Sequence, residues 1–405
     1  MISNNIFKCI GFIDFEKSQI NALKADGFKI VKPNEQLNEF LESTYHSEYL
    51  KIMFNDDCVH LSKELTHEVH LNQIDKDVVL NSVDLFVFVD KHDSHTVIYS
   101  LDYLIDIETV EDFSDVTYQL INHQSEITAD NTTYKQIDFI SKSIFNGKKL
   151  NDISSALSQF SGNKFKHYSI VDFKENDFET DALLFELGTS SKIGSISQGG
   201  ITAPSQKYFN SILENKLSCF NNYSGLSLYD SFTIIGNNNY DRSNVYSHST
   251  WDAVYFKIFI YNQFLKSRLQ IITNSFSKDS LKSRSLFKTF YNKYYLNKIS
   301  FNFLPNEIHK TIYNSLEIDV DIDFLRERLN TLTDQINETQ QRQQEFLLFC
   351  ISVLALLETP LHIDGIRSII GIENYIVYNS IIYPALVLSL IIIIVFKFKK
   401  NKKLR

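Results

Sequence analysis

Residue types and spacing come closest to chemistry in GTSSKIGSISQGG, Gly188 to Gly200, which holds four of the chain's twelve glycines. Glycine lets a backbone amide approach a ligand closely, hydroxyls add hydrogen-bond donors, and a lysine adds charge. Gly188, Thr189, Ser190, Lys192, Gly194, Gly199 and Gly200 are therefore the candidate ligand-binding residues. The ligand expected there is a phosphate or nucleotide, and the alternative is a plain flexible loop. Neither GxxxxGK[ST] nor GxGxxG occurs in the stretch, which excludes a P-loop and a dinucleotide turn. Lys207, Tyr208, Lys257 and Lys266 would extend such a pocket if the fold brought them to it.

Cys58, His60, His67 and His70 form the densest set of potential metal ligands, followed by His92, Asp93 and His95. Their spacing matches no zinc pattern, so packed or solvated histidines are expected and no metal site is assigned. The acidic string EIDVDID, Glu317 to Asp323, alternates with Ile318, Val320 and Ile322 and reads as a half-buried strand with a solvated face. Divalent-cation binding between subunits is its alternative. No Ser/His/Asp or Cys/His arrangement stands out, so the chain is read as a non-enzyme without catalytic residues.

The elements that would position these residues alternate in type. Ile6–Asp14, Phe28–Lys32, Val83–Asp90, Thr96–Leu104, Phe165–Phe173 and Ala182–Gly188 read as strands. The regions 36–54, 112–122, 133–145 and 205–217 read as helices. Residues 1–250 are thus an α/β or α+β ligand-sensing domain, and 251–345 a helical region ending in a long stalk. The net charge of −9 argues against a general binder of nucleic-acid polymers. Four scattered cysteines fit a reducing compartment, and no secretory signal is visible at the start.

Hydrophobicity concentrates at the other end. Ile376 to Phe396 is a run of 21 uncharged residues followed by six bases in residues 397–405. It is read as a membrane helix with a cytoplasmic basic tail. Phe346 to Ile363 is read as a first crossing, giving a multi-pass protein of the inner membrane with both termini cytoplasmic. Ile322, Leu325, Leu329, Leu332, Ile336, Thr339, Gln343, Phe346, Cys350, Val353 and Leu357 form a heptad seam leading into that first crossing. The seam suits either packing on the chain's own domain or a bundle of identical helices.

A cytoplasmic domain, a long helix, two membrane helices and a Lys-rich end resemble the CorA-type magnesium transporter family. The likeness is carried by YPALVLSLIIIIVFKFKKNKKLR (Tyr383 to Arg405), by SLYDSFTIIG (Ser227 to Gly236) and by YFKIFIYNQFLKSRLQ (Tyr255 to Gln270). It implies a homo-oligomer, a pentamer by family pattern, in a lipid bilayer. It also implies cation passage, with Mg2+ or another divalent cation as the transported or regulatory ion. The family's Gly-Met-Asn triplet is absent, the region reading ETPLHIDGI. The sequence is similar in this respect to divergent members beside type III CRISPR systems, which implies gating by a cytosolic nucleotide in antiviral defence. A housekeeping magnesium transporter and a membrane-anchored sensor or enzyme are the alternatives. Ser352, Glu358, Thr359 and His362 are the expected pore-lining residues.

Overall fold

The computed structural model describes residues 2–55, 57–89, 94–148, 150, 157, 160, 162–173, 180–196, 203–237, 250–276 and 279–370. The chain divides into two compact units, Met1–Leu325 and Arg326–Arg405. The first is organised around one sheet of eleven strands: β1 (Ile2–Glu16), β2 (Lys29–Ile30), β3 (Cys58–Leu71), β4 (Lys76–Phe88), β5 (Ser94–Leu104), β6 (Glu126–Ala129), β7 (Thr132–Lys135), β8 (Lys166–Phe173), β9 (Lys216–Leu217), β10 (Tyr223–Ser227) and β11 (Ser231–Asn237). Their spatial order is β7-β6-β3-β4-β5-β1-β8-β11-β10-β9, with β2 paired to β3. Neighbours are antiparallel except β8 and β11, which run parallel.

The helices are α1 (Lys17–Ala25), α2 (Glu35–Thr44), α3 (Ser47–Phe54), α4 (Val110–Ile121), α5 (Gln136–Ile144), α6 (Thr180–Thr189), α7 (Gln206–Leu213), α8 (Phe256–Phe276), α9 (Ser280–Lys293), α10 (Phe303–Ser315) and α11 (Ile318–Ile370). They cover both faces of the sheet, which is why β1 is apolar on both sides. Phe7, Cys9, Ile13 and Phe15 of β1 join a core with Phe113 and Leu120 of α4, Phe139 and Ile140 of α5, and Leu184 of α6. On the opposite face α8 lies against the sheet and is buried from Phe256 to Leu269, polar residues such as Asn262 and Gln263 included. Phe264 stacks on Phe88 at 3.8 Å, and Phe256 meets Phe86 and Tyr168 at 5.9 and 5.0 Å.

That second face also holds charge. Lys8 of β1 is buried and pairs with Asp102 at 3.3 Å and Asp252 at 3.0 Å. Burial opposes its charge, but the two carboxylates outweigh burial and hold its pKa above the ordinary lysine value.

The first expected membrane crossing, 346–363, is corrected by this architecture. Among the described residues no helix is long and apolar enough to cross a membrane. The apolar run Phe346–Leu357 within α11 is twelve residues, about 18 Å of helix against a hydrocarbon core of about 30 Å. Glu358, Thr359, Pro360 and His362 end it. The second expected crossing, 376–396, and the basic tail lie outside the described residues. Without the first crossing the multi-pass inner-membrane placement is not supported.

Two further expectations change type. Ala182–Gly188 belongs to helix α6, not to a strand; a short apolar run does not discriminate, and it contains no β-branched residue to favour extension. The acidic string is helical from Ile318 onward, with Ile318 and Ile322 buried and Val320 63% exposed.

Gly11 sits opposite Tyr99 in the β1–β5 register, and a Cβ there would run into the Tyr99 ring. Gly11→Ala is expected to lower stability by about 1–3 kcal/mol, and adding Tyr99→Leu to recover part of it. Urea denaturation of the single and double variants checks this, and an additive pair of losses would contradict the contact.

His123, His167 and His309 are buried, and burial lowers each to about 4 from an ordinary 6.5. Between those values the unfolded chain binds protons that the folded chain refuses. Stability is therefore full above pH 6.5 and lost as pH falls toward 4, by about 2 kcal/mol per histidine between pH 7.5 and 5. Urea midpoints at the two pH values measure it; equal midpoints would show that the histidines are not held neutral.

Candidate ligand-binding site

A cavity of about 760 Å³ opens at one end of the sheet. β10 and β11 are joined there by the tight connection Tyr229–Asp230, closed by Leu228 N–H donating to the Ser231 carbonyl at 2.8 Å. The Asp230 carbonyl accepts from the His167 amide of β8 at 2.9 Å, tying the turn to the start of the parallel strand. Ser231 Oγ donates to the Gly188 carbonyl at 2.6 Å, which fixes the end of α6 against this turn. A methyl group at Gly188 would press on Leu228 at 3.2 Å, so the small residue permits the approach.

Three helices contribute their carboxyl ends. α6 ends in a Schellman arrangement: the Ser190 amide donates to the Leu187 carbonyl at 3.1 Å and the Ser191 amide to the Glu186 carbonyl at 2.8 Å. Ser190 takes the left-handed conformation, φ 49°, that glycine usually occupies. α7 ends beside the cavity with Ile212, Glu214 and Asn215, and Asn215 Nδ2 donates to the Thr311 carbonyl of α10 at 2.7 Å. α10 ends there with Asn314 and Ser315, and Ser315 Oγ lies 2.6 Å from Ser227 Oγ.

The electrostatics follow from this convergence. Helix carboxyl ends carry partial negative charge, and Glu214, Asp230 and Glu317 add carboxylates, against Lys164 and a neutral His167. Buried Lys166 points beneath the turn, pairs with Asp230 at 2.7 Å, and lies 4.3 Å from the Tyr229 ring centre. Burial lowers its pKa and Asp230 opposes that shift. The wall is therefore rich in acceptors. Neither ring nitrogen of His167 has a hydrogen-bond partner of ordinary geometry among the described residues. Tyr208 and Tyr229, 56% and 42% exposed, supply aromatic faces.

The glycine-rich stretch is only partly at this site. Gly188 and Thr189 line the cavity, and Ser190 is buried directly behind them. Lys192 is exposed and does not line it. Gly194 is turned inward: its amide and that of Ile196 each donate to the Glu186 carboxylate at 3.0 Å, so an internal anion occupies the place a phosphate would take. Gly199 and Gly200 lie outside the described residues. Of the flanking candidates, Tyr208 lines the cavity, and Lys266 lies 5.4 Å from the Tyr229 ring while pairing with Asp321 at 2.8 Å. Lys207 is exposed on α7, and Lys257 sits 4.0 Å from the Phe54 ring instead.

The histidine and cysteine candidates are dispersed along β3. His60 pairs with Asp84 at 3.0 Å and stacks on Phe86, His67 packs near Phe139, and His70 meets Asp77 at 2.8 Å. Burial pushes the Cys58 thiol up to about 12. Among the described residues no group of three His, Cys, Asp or Glu side chains could hold a metal ion. His95 is buried, while His92 and Asp93 lie outside the described residues. Of the expected pore residues, Ser352 is exposed on α11 with its hydroxyl donating to the Leu348 carbonyl at 2.8 Å. The side chains of Glu358, Thr359 and His362 lie outside the described set.

Sequence reasoning missed His167, Asn215, Tyr229, Asp230 and Asn314 as site residues, and read Glu317 only as part of the acidic string. One signal was present: Ser227, Leu228, Tyr229 and Asp230, which line the cavity, open the SLYDSFTIIG segment singled out for its resemblance.

Compared with known proteins, the chain matches no family model and no curated protein.

Asp230→Asn removes the carboxylate from a buried ammonium, whereas Lys166→Met removes the charge and keeps much of the volume. The first is expected to cost about 1–3 kcal/mol and the second less than 1 kcal/mol. Thermal and urea unfolding of both variants check the order, and the reverse order would contradict the pairing.

Proposed function

We propose that the first unit is a ligand sensor whose cavity takes the nucleoside part of a small nucleotide-type molecule. The carrying observation is the lining: two exposed tyrosines, the amides of Asn215 and Asn314, and an excess of carboxylates and helix carboxyl ends. Aromatic faces stack on a base, and acceptors take the amine and hydroxyl hydrogens of base and ribose. The volume lies in the range of small-molecule sites. Phosphates would have to point away from this wall, toward exposed Lys164 at the rim.

The order of parts, a sensing unit followed by one long helix, is the one the CorA resemblance implies. α11 carries a seam of heptad spacing and exposes Leu347, Leu348 and Ile351 at 59%, 64% and 60%. These three positions lie off the seam, so they form a separate apolar surface that a second copy of the chain would cover. We therefore read the protein as a homo-oligomeric, ligand-responsive sensor, with binding and not bond-making as its chemistry.

Calorimetry and thermal shift with adenosine, guanosine, cytidine and uridine, their 5′-phosphates, and inorganic phosphate test the ligand class. At least one nucleoside is expected to bind within about tenfold of its phosphate, and phosphate alone not to bind. Tyr229→Ala should weaken that ligand by about 1–3 kcal/mol through lost stacking. No binding by any member of the panel would overturn the reading.

A further inference from the structure

Glu317 stands at a junction that the cavity alone does not require. It follows the last turn of α10, where its amide donates to the Asn314 carbonyl at 3.0 Å, and its own carbonyl accepts from the Asp321 amide at 3.3 Å in the first turn of α11. One residue therefore closes one helix and opens the next. It does so with φ 53°, a conformation that Asn and Asp adopt readily and that glutamate rarely does. Backbone strain of this kind persists where the surroundings over-determine it and gathers at functional sites. Glycine would satisfy the turn without strain, yet the position carries a carboxylate, and that residue lines the cavity.

Two further contacts connect the same places. Ser315, two residues earlier at the end of α10, lines the cavity and touches Ser227 of β10 at 2.6 Å. Asp321, one turn later on α11, pairs at 2.8 Å with Lys266, whose amine lies 5.4 Å from the Tyr229 ring. The cavity wall is thus fastened to the start of α11 from both sides of Glu317.

We propose that Glu317 is the ligand-reading residue of the cavity, and that its strained backbone transmits occupancy to the first turns of α11. The ligand group it reads is a hydrogen-bond donor, a hydroxyl or amine, because the residue offers only acceptors at neutral pH. Drawing the carboxylate inward turns the Glu317 peptide, and that peptide holds the first helical bond of α11. This inference rests on the cavity's being a ligand site, though its test is separable from the identity of the ligand.

The measurement is amide hydrogen exchange of residues 318–325 in the full chain, with α4 as the reference. Ser211→Trp fills the cavity from α7 without any ligand, and Tyr208→Trp, at a side chain 56% exposed, does so if the first variant fails to fold. Filling the cavity is expected to change exchange at 318–325 by about fivefold or more while α4 is unchanged. Glu317→Gly, which removes both carboxylate and strain, should abolish that response. Unaltered exchange at 318–325 with the cavity filled would overturn the proposal, as would a response that survives Glu317→Gly. Adding the nucleoside panel to the wild type separates the two readings. A bound nucleoside that leaves 318–325 unchanged also overturns the relay. If no nucleoside binds, the nucleoside reading falls and the tryptophan variants alone decide the relay.

Discussion

Antiparallel neighbours can be joined by a short turn, but β8 and β11 run parallel, and a parallel pair needs a long crossover. The segment between them supplies α6, α7, β9 and β10, and all four are arranged by where that crossover must begin and end. Ser231 pairs with His167, so the amino ends of β8 and β11 lie side by side. α6 follows β8 and delivers its carboxyl end back to that same place, where Ser231 Oγ meets the Gly188 carbonyl. The β10–β11 turn is held there by the His167 amide. The cavity is the space left where these ends converge.

That position has an electrostatic consequence. Open α/β sheets usually bind ligands beyond the carboxyl ends of their strands, where helix amino ends favour phosphate. Here the site lies at strand amino ends and helix carboxyl ends, so the local field favours donors and positive charge. The amides that would have served a phosphate, those of Gly194 and Ile196, are spent on Glu186. This stabilises the loop after α6 and removes its capacity as an anion cradle. The two facts point the same way: the wall is matched to hydrogen-bond donors better than to anions.

Much of the scaffold was legible in the sequence, and the reasons are local. β1, β5 and β8 carry β-branched and aromatic runs of strand length, and α4 announces itself with Thr109 capping the Asp112 amide at 3.2 Å. α8 was readable from its aromatic segment Tyr255 to Gln270. Ala182–Gly188 misled because a short, mostly apolar run of seven residues fits a strand or a buried helix equally well. The acidic string misled for a related reason: alternation of Ile, Val and Asp mimics period two, while Ile318, Ile322 and Leu325 also meet a helical spacing of four and three. The site itself was mostly hidden. Gly188 and Thr189 were visible as part of a glycine-rich stretch, but Asn215, the Tyr229–Asp230 pair and Glu317 are far apart in sequence and converge only in the fold.

The far end of α11 shows how one pattern carries two meanings. A run of twelve apolar residues after a polar heptad segment can be the beginning of a membrane span or the apolar end of a helix that packs against helices. Length decides between them, and Glu358, Thr359, Pro360 and His362 interrupt the run well before bilayer thickness is reached. What remains is a helix whose first residues pack in the first unit. Ile318, Ile322 and Leu325 are buried in the first unit. Beyond them the exposed leucines and isoleucine are compatible with association between chains. A helix held at one end by Glu317 and Lys266, and apolar further along, is mechanically suited to report at a distance what happens at its anchored turn. That suitability requires stiffness, and α11 has it in sequence: no glycine and no proline occur between Ile318 and Thr359.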